Sequence, residues 1–349
     1  MKKYYSIEFL RFLSSLSVLI YHYRHFFNPL NILSNSNYET SKNTLPFFDF
    51  FEPFYDYGIY GVHVFYAISG FVFAHVYLGT RKNTSFKEFS INRLARLYPL
   101  HFATLIIVCF VQFLFLINYG KFQFDLINDF YHFFLQVFFI SSWGFENGHS
   151  FNAPIWSVSI EIGIYLLFFV LIGFIQKYKL KLIIFLNIFL IVIDKTGVIQ
   201  SLFLECARLF FSGVLVYYIV INKYKSLILF FISLSFLAIS FIGNFKTFIF
   251  CPALILFFLS FEKIIVKDKI KNYFITLGNW TYALYLSHVP IQLLIIFILD
   301  KCCNLSNTFN NNLFFFFYFI SLFFLSHLIF NYFEKPLNKK IREFYLNKK

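Results

Sequence analysis

Arg11 and His22 lie in the first apolar stretch, Ser6 to Phe27, together with Glu8. On a helix turning about 100° per residue, eleven steps return to within about 20° of the starting direction and climb about 16 Å, so the cation and the imidazole share one face. Ionisable groups inside a segment long enough to cross a bilayer are costly and point to work. A lone arginine near a helix end can snorkel and a lone histidine can be a satisfied core group. The common stripe argues against both, as does Glu8, one turn before Arg11 and placed to hold its guanidinium. His25 stands at the exposed end of the segment and is read as interfacial.

Other residues carry chemistry by type. Arg93 and Arg96, in NRLARLYP, are three apart. On a helix they present two guanidinium forks to one side, a good cradle for phosphate, although taken alone the pair also fits ordinary loop charge. Glu161, in APIWSVSIEIGIYLLFF, is a carboxylate in an apolar run and calls for a partner. A histidine is the natural one, because a carboxylate that orients an imidazole makes a general base. Ser69 in GVHVFYAISGFVF and His288 in GNWTYALYLSHVPI complete the set. His63, His75, His101 and His327 lack such spacing and read as core or interfacial. The five cysteines, Cys109, Cys206, Cys251, Cys302 and Cys303, show neither metal-ligand nor disulfide-framework spacing, so no metal site is expected.

The elements that position these groups are set by composition. With 59% hydrophobic, 24% aromatic and 13% charged residues among 349, and a mean hydropathy of +0.68, the chain is too apolar for a soluble domain. It reads as an all-α, polytopic integral membrane protein. The apolar runs give ten spans, at 7–27, 58–78, 97–117, 155–175, 182–195, 200–221, 226–243, 246–261, 275–298 and 313–333. The run from Phe130 to Ser142 is too short to cross and is expected to be re-entrant or interfacial on the outer side.

The formal charge of +13 falls in short clusters between these runs. It speaks for topology and not for nucleic acid. Ten spans with both termini cytoplasmic put Arg81, Lys82, Lys87, Arg93, Arg96, the lysines at 177, 179 and 181, and the C-terminal basic residues inside. The start, MKK before a long apolar run with no small-residue cleavage site, reads as retained. The polar insert Asn28 to Asp56 is outside and too short to fold alone. The expected division is a membrane domain over 1–337 and a basic cytoplasmic tail over 338–349. Depth then sorts the polar groups: Arg11, Arg93 and Arg96 near the inner face, His22, His63 and Glu161 in the outer half, Ser69 and His288 near the midplane.

Taken together, Arg11-X10-His22, GVHVFYAISGFVF, RxxR after the second span, WSVSIEIGIY, ARLFFSGVL, GNWTYALYLSHVP and a terminal FEKP resemble the membrane acyltransferase-3 family, in its order and over nearly the whole chain. The resemblance implies an enzyme of the cell (inner) membrane that moves an acyl group, usually acetyl, from cytoplasmic acyl-CoA to a hydroxyl of a cell-surface or exported glycan. It implies catalytic His22 and Glu161, an acyl-CoA site at Arg11, Arg93 and Arg96, and supporting roles for Glu8, Ser69, Trp156 and His288. Acyl-CoA and the carbohydrate acceptor are substrates; no permanently bound cofactor is expected. The family often has Asp where Glu8 stands and a second acid where Ile162 stands. His22 acts as general base in this reading; an acyl-histidine intermediate is the alternative chemistry. A rival of another class is a proton-coupled transporter or flippase of a glycan precursor, with His22, Glu161 and His288 as relay.

Overall fold

The computed structural model describes residues 3–27, 42–79, 84–197, 201–221, 226–242, 246–262, 268–300 and 308–346. Among them every regular element is helical, in the order α1 (Tyr5–Tyr23), α2 (Phe48–Tyr57), α3 (Gly61–Phe73), α4 (Phe86–Tyr119), α5 (Phe130–Val137), α6 (Ile155–Tyr178), α7 (Leu180–Thr196), α8 (Leu202–Ile221), α9 (Ser226–Phe241), α10 (Thr247–Ser260), α11 (Asp268–Leu299), α12 (Asn312–Leu328) and α13 (Lys335–Leu346). Each of the ten apolar runs falls on a helix. Six helical stretches are long and apolar enough to cross a membrane: Phe48–Leu78, Phe86–Tyr119, Ile155–Tyr178, Leu202–Ile221, Lys269–Leu299 and Asn312–Leu346. α9 and α10, at 16 and 14 residues, are shorter apolar helices.

The structure adds to the sequence reading in three segments. Within the insert Asn28 to Asp56, expected to be outside and too short to fold alone, α2 forms, because Phe48 and Tyr55 repeat at seven and bury one stripe. The first part of that insert, residues 28–41, lies outside the described residues, as do Cys302 and Cys303. The tail from residue 338 is helical to Leu346, continuing α12 through a π-turn over Ile329–Glu334. The doubtful run at 130–142 supplies only the eight residues of α5, too few to cross. Asp129 caps α5 by accepting from the His132 backbone N–H at 2.8 Å. That bond, together with the His132 ring, holds the Asp129 carboxyl below its usual range.

The helices distribute over two compact units. The first comprises Met1–Ser15, Tyr60–Phe86 and Ile160–Asn279. Its centre is the crossing of α3 and α8. A Cβ on Gly70 would collide with the Phe210 carbonyl oxygen, and one on Gly213 with the Ala67 carbonyl oxygen. The two backbones therefore touch where the SGF and FFSGVL stretches meet, the small-residue contact that lets helices approach in lipid. Around it pack Phe73, Phe168 and Phe210. In the same unit the Glu262 carboxylate accepts from the N–H groups of Tyr5 and Ser6 at 2.9 and 2.8 Å. It thus satisfies two orphan donors at the start of α1.

The second unit comprises Leu16–Ile59, Lys87–Ser159 and Trp280–Lys349. Here the latter half of α1 is fixed by Tyr23, fully buried, whose hydroxyl donates to the Phe309 carbonyl at 3.0 Å. Tyr23 sits among Phe26, Phe315 and Tyr318. Gly58 lies against Ser17 so closely that a Cβ would strike the Ser17 carbonyl.

Candidate active site

The second unit gathers the groups with the most chemistry, and α11 is the element that positions them. Tyr285, His288 and Gln292 recur at three and four residues along it and so line one face. His288 is fully buried, and its Nε2 lies 2.8 Å from Nδ1 of His22, with the two rings stacked at 4.9 Å and 10°. One of the two nitrogens carries the shared proton. Which of the two carries it depends on the tautomer; with the proton on His22 Nδ1, the lone pair of His22 is left on Nε2, the form a general base needs.

Proline shapes the same turn. Pro290 has no N–H to give the carbonyl of Leu286, and Asn152, fully buried, supplies the missing donor at 3.1 Å while also donating to Thr104 Oγ1 at 3.0 Å. Tyr285 joins its hydroxyl to Ser157 Oγ at 2.7 Å and to the Pro154 carbonyl at 3.0 Å. The start of α6, which carries Trp156, is thereby tied to α11. Gln292 donates to the carbonyl of His22 at 2.9 Å.

Arg93 and Arg96 lie half-buried near the start of α4, in this same unit. The carbonyl of Leu97, next to Arg96, accepts from the Tyr282 hydroxyl at 2.7 Å. From Tyr282 to His288 is six residues of α11, about 9 Å along its axis. One helix thus reaches from beside the arginines to the paired imidazoles.

The first unit holds the remaining predicted residues. Arg11 Nη1 meets Glu8 Oε2 at 3.3 Å, as the three-residue spacing foretold. Glu8 in turn packs on the bare backbone of Gly278, where a Cβ would stand 2.7 Å from that of Glu8. Ser69 accepts from the Tyr165 hydroxyl at 3.4 Å. Glu161 is half-buried on α6.

The family described as an acyltransferase domain matches residues 4–331. The chain belongs to the acyltransferase-3 family. No curated protein and no solved structure matches it. By family and by its long apolar helices this is a membrane acyltransferase.

In this acyltransferase, the partner on His22 Nδ1 is an imidazole, where a carboxylate was the expected orienting group. Among the described residues, histidine–carboxylate pairs include His63 with Glu205, at 3.4 Å, and His132 with Asp129, at 2.7 Å. His25 is closer to the chemistry than its reading at the helix end allowed, with its ring 4.9 Å from that of His22. His101 is fully buried against the Gln136 carbonyl, as a core residue would be, and the half-buried His327 accepts at its carbonyl from Asn331. Gln292 and Tyr285 were not singled out from the sequence. The available signal was two more polar groups on the face of His288.

Proposed function

We propose that the acyltransferase takes an acyl group, most simply acetyl, from cytoplasmic acyl-CoA and places it on a hydroxyl of a cell-surface or exported glycan. The observation that carries the reading is the His22–His288 pair, held in the unit that also contains Arg93 and Arg96. The two guanidinium groups suit the phosphates of CoA. The axial distance spanned by α11 is within reach of an extended pantetheine arm. His22 Nε2 takes the proton of the acceptor hydroxyl as its oxygen attacks the thioester carbonyl. The tetrahedral intermediate collapses, the C–S bond breaks, and CoA leaves as a thiolate that takes up a proton. Trp156, in the same unit as His22, is assigned to the acceptor side in this scheme. The remaining topology, ten spans with both termini in the cytoplasm of the inner membrane, brings the donor from inside and the acceptor from outside.

Mass spectrometry of surface glycans from cells with and without the gene tests this directly. The expected result is one acyl increment per modified sugar that vanishes with the gene. Identical glycans in both, together with no acyl-CoA consumption by the purified protein, would overturn it.

A further inference from the structure

α1 loses its regular hydrogen bonding just after His22, where a 3-10 turn over Arg24–Phe27 takes over. A carbonyl at such an end is an orphan acceptor, and a buried one needs a donor. Gln292 provides it through Nε2, and the acceptor identity of its partner fixes which end of the amide points there. The other end, Oε1, is fully buried and makes no hydrogen bond. A leucine would fill the same space but leave the His22 carbonyl without its donor, so packing alone does not account for an amide at this position. His288, four residues earlier on α11, grips the ring of the same histidine. Backbone and ring of His22 are therefore both held by one face of one helix.

We infer that Gln292 is a positioning residue for His22: it fixes the exit of α1 so that the imidazole meets His288 at hydrogen-bond distance. This rests on the acyltransfer reading only for its kinetic consequences. The ring geometry is a property of the chain itself.

The test uses the full-length protein in lipid nanodiscs with two variants. Gln292→Leu should lower turnover about 10- to 100-fold, the loss that a misplaced group brings, while the KM for acyl-CoA stays within about twofold. It should also change the rate at which diethyl pyrocarbonate modifies His22, read by peptide mass spectrometry. Gln292→Glu keeps the shape and can donate to the carbonyl only as the neutral acid. Its activity, expressed as a ratio to wild type at each pH, should rise as pH falls. Wild-type turnover and an unchanged modification rate in a folded Gln292→Leu would overturn the assignment. So would a loss confined to KM, which marks a substrate contact instead. If wild-type protein transfers no acyl group at all, the acyltransfer reading fails, and the modification rate still decides the role of Gln292. Where Gln292→Leu does not fold, the pH-dependent ratio of Gln292→Glu decides it.

Discussion

His22→Gln keeps much of the size and hydrogen bonding of the side chain but cannot take a proton at neutral pH. It should lower acyl transfer by at least about 10²-fold, with acyl-CoA binding intact, because the guanidinium groups are untouched. Glycan acylation near normal in cells holding wild-type amounts of the variant would make His22 structural. At the RxxR pair, Arg93→Ala with Arg96→Ala should weaken acyl-CoA binding about 10- to 100-fold in titrations of purified protein. Lysine at both positions should restore part of it, since a point charge lacks the bidentate fork. Unaltered donor affinity in the double alanine variant would remove CoA from that site. Arg11, His22 and the RxxR pair were legible in the sequence, because charge in an apolar run is conspicuous and helical spacing is simple arithmetic. The partner of His22 was not. His288 is 266 residues away, and no periodicity joins two helices; the carboxylate expected on chemical grounds lost to an imidazole that α11 happens to present. Gln292 was invisible for a different reason, as an amide carries no charge and its role lies in a backbone carbonyl.

Among the elements, the α3–α8 crossing makes the sharpest claim. Gly213→Ala pushes a methyl group into the Ala67 carbonyl. Overpacking of this kind costs about 1–3 kcal/mol. The variant should show a lower midpoint in thermal aggregation of the purified protein; an unchanged midpoint would mean that the helices part freely. From sequence, SGF and FFSGVL were two separate motifs, and their meeting is a tertiary fact. A milder expectation attaches to α5. The Asp129 carboxyl is held below its usual range, so the cap is present at neutral pH and is lost as pH falls through that lowered value. Amide exchange over residues 130–137 should accelerate there, and Asp129→Ala should remove the pH dependence. Helix existence was readable nearly everywhere from apolar run length. The exceptions are the basic tail, helical to Leu346, and α2, hidden by Asp49, Glu52, Pro53 and Asp56 although Phe48 and Tyr55 keep a helical stripe.

For the molecule as a whole, sidedness is the claim to check. In a background without native cysteines, Glu52→Cys and Asn312→Cys should react with an impermeant maleimide added to intact cells, and Lys87→Cys and Glu343→Cys should react only after lysis. Labelling of Glu343→Cys from outside would break the ten-span count and the depth of every polar group placed by it.

The two tethers of α1 have a consequence for biosynthesis. Its first N–H groups are capped by Glu262 and its exit by Gln292, partners 256 or more residues later in the chain. At about 5–20 residues per second, the ribosome needs roughly 15–50 s to supply them after α1 has emerged. For that interval the helix that bears Glu8, Arg11 and His22 must wait with its ends unsecured. The first segment made is therefore among the last to be locked, and a chain cut short of residue 262 leaves it with neither tether.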